Sequence, residues 1–193
     1  MSKKEDKHPS VREQVLTYND YAALDDGNRY ELVNGQLELM RPVPSTRHQL
    51  ISYELNKKIS ASCENEYFIL YAPIDLILSN SEVRQPDIVM VHRDRLNILS
   101  RKGIEGPPDL VVEILSPSTL KRDKMDKLQA YARFCIPEYW IVEPELGILE
   151  QHVLKKDTYE LANIYHQDEP ITSRILPCIS FTMDKVMENI PNI

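Results

Sequence analysis

Apolar positions along the chain fall into short blocks whose spacing switches between helical and extended periods. Residues 45 to 62, STRHQLISYELNKKISAS, carry Leu50, Ile51, Leu55 and Ile59 at helical spacing behind Ser45, a residue suited to cap a helix start. Earlier, Thr17 can cap a short helix bearing Tyr21, Ala22 and Leu24, which Gly27 ends. The run RYELVNGQLELM reads as a hairpin: Tyr30 and Leu32 on one strand, Asn34-Gly35 at the turn, Leu37 and Leu39 on the return. Between Tyr67 and Leu78 two apolar segments are divided by Pro73, and Pro86 to Val91 forms a further strand. Asp109 to Leu115 is almost continuous in branched apolar residues, the pattern of a strand covered on both faces.

Past a Ser/Pro break, LKRDKMDKLQAYARF predicts a helix with Met125, Leu128, Ala132 and Phe134 as its buried stripe. EYWIVEPELGILEQHV then gives a strand, a Pro/Gly turn and a strand. Tyr159 to Ile164 and Ile171 to Ile175 read as edge or hairpin strands, and Thr182 to Ile190 as a closing helix. The first 16 residues are polar without a lasting period, so they are expected to form a flexible arm ahead of a single domain over 17–193. This order predicts an α/β fold, a mixed central β-sheet flanked by helices with added antiparallel hairpins.

Composition narrows the functional classes. Hydrophobic residues at 42% and charged ones at 27% are ordinary for a globular chain. No apolar run approaches the length of a membrane span, and the N-terminal stretch has no apolar signal core, so neither a membrane nor secretion is expected. Cys63, Cys135 and Cys178 are too few and too scattered for a disulfide framework or a cysteine zinc site, which points to a reducing, cytoplasmic setting. A net charge of -7 argues against holding nucleic acid by bulk electrostatics, though not against an enzyme that neutralises its own carboxylates with a divalent metal. The charge is uneven: residues 136–170 are strongly acidic, with Lys155 and Lys156 as their basic residues, whereas 101–135 carry more Lys and Arg than Asp and Glu. A polyanion is expected near the second stretch.

Three carboxylates stand among apolar strand residues: Glu31, Asp87 and Glu113. Such a group costs several kcal/mol unless paired, hydrogen-bonded or metal-bound. They are therefore either oxygen ligands of a hard divalent cation, or ordinary residues, Asp87 capping a turn and Glu113 pairing with a lysine. On the following helix Asp123, Lys127 and Tyr131 share one face at i, i+4 and i+8. Lys127 either forms a surface pair with Asp123 or points at a scissile phosphate beside Glu113. His48 lies on the first long helix, on its polar face or at the site. The remaining histidines show no metal-binding spacing, and the five glycines form no phosphate loop or dinucleotide fingerprint, so no nucleotide cofactor is expected. No GxSxG elbow occurs.

In order, YELVNGQLEL, the Pro86-Asp87-Ile88 strand, DLVVEILSPST, the row Asp123, Lys127, Tyr131, and PEYWIVEP resemble a large bacterial family of putative restriction endonucleases, abundant in cyanobacteria, within the PD-(D/E)XK nuclease superfamily. The resemblance spans about residues 15 to 190. It implies a restriction endonuclease-like core with an acid on the second core strand, matched by Asp87, and an acid-X-lysine triplet on the third, matched by Glu113. Glu31 resembles an additional glutamate supplied ahead of the core. The triplet here reads Glu113-Ile114-Leu115, with leucine in the lysine's place, and Lys127 matches the position of branches whose lysine has moved to the next helix.

The resemblance thus implies a Mg2+- or Mn2+-dependent endonuclease acting on DNA. Asp87, Glu113 and Glu31 would be its metal ligands and Lys127 its catalytic lysine. His48, Asp123 and Tyr131 would orient these groups or contact phosphate. The alternative is a catalytically inactive nuclease-fold protein acting as a DNA-associated or protein-binding module. A homodimer is expected, because cutting both strands of a duplex with one site per chain often needs two chains.

Overall fold

The structure is a computed structural model that describes residues 15–40, 44–116 and 122–191, the side chains of Arg122 and Asp123 excepted. The expected N-terminal arm lies outside the described residues up to position 14. Residues 15 and 16, its last two, lie against the first hairpin, where the Leu16 N–H donates to the Gly35 carbonyl at 2.8 Å.

The chain opens with α1 (Tyr18–Ala22), whose N-terminus is closed by a reciprocal Thr17/Asp20 capping box. The hairpin of β1 (Tyr30–Val33) and β2 (Gln36–Leu39) follows. Asn34 and Gly35 turn it at φ of 51° and 79°, a left-handed pair that the Asn-Gly sequence favours. A side chain on Gly35 would also strike Val15 and the Leu16 backbone. The long helix α2 (Thr46–Cys63) is capped by Ser45, whose Oγ accepts the His48 N–H.

Then come β3 (Tyr67–Tyr71), β4 (Leu76–Ser79), β5 (Glu82–Arg84), β6 (Ile88–His92), a 3-10 segment Arg93–Ile98, β7 (Ile104–Glu105) and β8 (Leu110–Ile114). Helix α3 (Arg122–Arg133) leads into β9 (Glu138–Glu143), β10 (Ile148–Lys155), β11 (Thr158–Tyr165) and α4 (Met183–Met187). The strands form two mixed sheets, β2-β1-β5-β4-β7 and β11-β10-β9-β8-β6-β3, with β4/β7 and β8/β9 as parallel pairs.

Side-chain alternation on the six-stranded sheet divides the core in two. Ile88, Met90, Leu110, Val112 and Ile114 face α2, packing on Ile51, Leu55 and Ile59. Val89, Val91, Val111 and Leu115 face the other way, onto Tyr131 of α3 and onto Leu76 and Ile104 of the smaller sheet. β8 is thus covered on both faces, and Glu113 belongs to the second.

Several expectations need correction. Strands β5 and β7 are additional to the predicted set. Met125 is 62% exposed and does not belong to the buried stripe; Ala132 is buried as expected, together with Ala130 and Tyr131. Residues 171–175 form no strand; Ile171 makes a single bridge to Phe181. Cys63 and Cys178, 115 residues apart, are joined in a disulfide with Cα atoms 5.2 Å apart, while Cys135 is free and exposed. No helix among the described residues is long and apolar enough to cross a membrane.

Candidate active site

The β6–β8 register sets Ile88 against Val112, which puts Asp87 across from Glu113 at the neighbouring position. The Asp87 Oδ2 accepts the Ile114 N–H at 2.7 Å, fixing the carboxylate at the end of β8. His48, brought in by the first turn of α2, lies with Nε2 at 3.3 Å from Asp87 Oδ2 and 3.0 Å from the Ile114 carbonyl. A carbonyl only accepts, so Nε2 carries the proton. His48 Nδ1 is buried without a partner among the described residues.

Glu113 meets α3. One of its oxygens, Oε1, accepts the Tyr131 hydroxyl at 2.7 Å, and the other lies 2.8 Å from Lys127 Nζ. Lys127 and Tyr131, one helical turn apart, thereby grip both ends of one carboxylate. Lys127 also lies 3.9 Å from Glu31, which β1 of the smaller sheet supplies. Glu31 accepts the Gln85 N–H at 2.9 Å and is held by Arg84 at 3.4 Å. Arg84 in turn makes two bonds to Glu82, which Arg133 of α3 also reaches. A network of alternating charge therefore runs from the small sheet across to β8.

The titration directions follow from this network. Burial pushes Glu113 up to about 7, with Lys127 opposing and Asp87 and Glu31 adding to the rise. Burial alone would lower Lys127, but the Glu113 and Glu31 carboxylates outweigh it and raise the ammonium above its usual range. These directions are compatible: Lys127 faces several carboxylates, whereas Glu113 has other carboxylates as well as Lys127 around it. For Glu31, burial would raise the carboxyl, yet Lys127 and Arg84 together hold it below the ordinary value. His48 is raised, since burial is outweighed by Asp87 and the Ile114 carbonyl.

Of the residues singled out by sequence, Glu31, Glu113, Lys127 and Tyr131 are joined in one chain of contacts. Asp87 and His48 form an adjoining pair linked to it through the β8 backbone. The Asp123 side chain lies outside the described residues. Sequence reading misses Arg84, Glu82, Gln85 and Arg133. A signal was present in the alternation Glu82-Val83-Arg84, two charges on one side of a buried valine. Lys124 likewise is no free surface cation: its Nζ lies 2.6 Å from Glu150, which also contacts His152.

Glu31, His48, Asp87, Glu113 and Lys127 all line one cleft of about 1020 Å³. Among the described residues, however, no group of three or more His, Cys, Asp or Glu is placed to hold a metal ion. The donor set explains this. Both oxygens of Glu113 and both of Glu31 are engaged by the chain's own cations, hydroxyl and N–H groups. A divalent cation does not fit this arrangement while Lys127 occupies it.

Comparison with known proteins bears on the fold and the lineage. A solved structure described as a putative nuclease belonging to DUF820, from Anabaena variabilis ATCC 29413, superposes with a TM-score of 0.72 at 14% identity. The match covers 90% of this chain and 98% of that one. At that identity the likeness establishes the fold alone, an α/β arrangement of two mixed sheets with flanking helices. Among curated proteins none matches the sequence. Residues 16–184 match the family Uma2, described as putative restriction endonuclease, and with so much of its length matched the chain belongs to that family.

Proposed function

We propose that this is a nuclease-fold protein that associates with DNA through its cleft without cutting it. The observation that carries this reading is the Lys127 bridge between Glu113 and Glu31, backed by Tyr131 and Arg84. Breaking a buried ion pair by removing one partner costs about 3–5 kcal/mol. A metal entering here must overcome a cost of that kind before it gains anything, which favours the ion-paired, metal-free state. DNA as the partner rests on the family and the fold.

A metal-dependent endonuclease is the second reading, favoured by one observation. Burial is the main cause that raises Glu113 to about 7, but Asp87 and Glu31 lie close enough to add to the rise, and a self-repelling carboxylate set is what a divalent cation relieves. Two measurements separate the readings. Calorimetric titration with Mg2+ and Mn2+ is expected to show no saturable binding in the millimolar range. Supercoiled plasmid incubated with either metal is expected to stay intact beyond the background of Glu113→Gln and Lys127→Ala. Nicking by the wild type that both variants lose would overturn the proposal in favour of the endonuclease.

A further inference from the structure

Helix α2 has two unlike faces. Ile51, Leu55, Ile59 and Cys63 enter the core, whereas Gln49, Ser52, Tyr53 and Asn56 line the cleft. Those four recur at the helical spacings of three, four and seven, so they form one continuous wall, and it contains no acid. The same cleft is also lined by Glu113, Lys127 and Asp126.

Two aromatic side chains on this cleft are unusually open. Tyr53, on the wall, and Tyr71, at the end of β3, are each 61% exposed. Neither ring is needed to fill the core. Both are anchored close to the acidic cluster. Tyr71 precedes Ala72, whose N–H donates to the Asp87 carbonyl at 2.9 Å, and Tyr53 follows His48 by five residues, about 7.5 Å along the helix. Lys57 Nζ lies 5.8 Å from the centre of the Tyr53 ring, adding a cation beside it.

Amide side chains stand on the same wall as Tyr53: Gln49 and Asn56 both line the cleft. Exposed rings that can stack, beside amides able to bond base edges, are the elements by which proteins hold unpaired bases. Charge points the same way. With a net charge of -7 and carboxylates in the cleft, phosphate attraction is weak, so base contacts must supply much of the affinity.

We infer that Tyr53 and Tyr71 are stacking platforms for unpaired bases and that the cleft takes single-stranded DNA in preference to duplex. The inference rests on the reading of the cleft as a DNA site and adds its substrate class.

Fluorescence anisotropy with an end-labelled oligodeoxynucleotide tests it, using the single strand, its duplex, and the same strand carrying abasic sites that keep the phosphates and remove the bases. The wild type is expected to bind the single strand more tightly than the duplex and to lose affinity for the abasic strand. Tyr53→Ala and Tyr71→Ala should each weaken single-strand binding by roughly 5- to 100-fold. Tyr53→Phe and Tyr71→Phe should bind as the wild type does, since the ring and not the hydroxyl is at work. Thermal unfolding of each variant, expected to be unchanged at such exposed positions, excludes misfolding. If duplex is bound as well as single strand and the alanine variants bind normally, the stacking inference fails while DNA association stands. Absence of binding to all three probes sinks both.

Discussion

An ammonium 2.8 Å from Glu113 and 3.9 Å from Glu31 neutralises two carboxylates in surroundings that offer little water. Read as a surface partner of Asp123, Lys127 would contribute only a few tenths of a kcal/mol. In its observed place, removal leaves the buried Glu113 without a cation and Glu31 with Arg84 alone, so Lys127→Ala is expected to lower unfolding stability in urea by about 3 kcal/mol. A loss below about 0.5 kcal/mol would return Lys127 to the surface-pair reading. The pH dependence gives a second prediction. With Glu113 raised to about 7, the folded state holds a proton that the unfolded state releases near the ordinary glutamate value of 4.5. Its contribution to stability is therefore full below about 4.5 and is lost as pH rises through about 7. Glu31, held low, acts in the opposite sense: its contribution is present above the ordinary value and lost as pH falls through its lowered one. Comparing urea midpoints of the wild type and Glu113→Gln from pH 4.5 to 7.5 isolates the first effect. The wild type should lose stability relative to the variant across that window, and parallel curves would show that Glu113 titrates normally.

Elements with their own periodic signal were readable from sequence, and those formed by pairing alone were not. α2 and β8 stand where Leu55-Ile59 spacing and the Leu110–Ile114 run place them, with ends moved by a residue or so. β5 and β7 have three and two residues of which only Val83 and Ile104 are apolar; they exist because β1 and β4 offer them hydrogen bonds. The site divides in the same way. Glu113 was legible because a doubly covered strand has little reason to carry a carboxylate, whereas Arg84 acquires its role only when β5 meets β1. The Cys63–Cys178 bond is a third contact beyond the reach of local pattern, tying the C-terminal end of α2 to the segment ahead of α4. Closing a chain segment of 115 residues removes much unfolded-state freedom, on the order of 4–5 kcal/mol in the chain-entropy account. Denatured, unreduced protein should therefore expose one reactive thiol, Cys135, against three after reduction. Reductant should lower the urea midpoint of the wild type and leave that of a Cys63→Ser, Cys178→Ser double variant unmoved. Three reactive thiols before reduction would show that the pair is open.

At the scale of the whole molecule, the two sheets place Glu31 and Glu113 inward and leave one long edge outward. β11 ends the six-stranded sheet, and its eight residues, TYELANIY, contain one charge, no proline and no glycine. Leu161 is 51% exposed there, and Ile164 is also open. Natural edges are normally protected by lysine, proline, a bulge or a covering segment; β11 has one such device, a bulge at Ala162, since Gln151 pairs with Asn163 and His152 with Leu161. An antiparallel strand pairs with its own copy about a two-fold axis, and that is the symmetry of the commonest closed oligomer. The homodimer expected from sequence is predicted to join through the open apolar residues of β11 into a continuous sheet, with the two clefts related by the axis. Light scattering behind size exclusion should give about twice the chain mass of 22.4 kDa at micromolar concentration. Leu161→Lys puts like charges near the axis at an already open position, so it should yield a folded monomer with unchanged thermal stability of the individual chain. A wild-type mass of one chain at every concentration, or a dimer indifferent to Leu161→Lys, would rule this edge out as the interface.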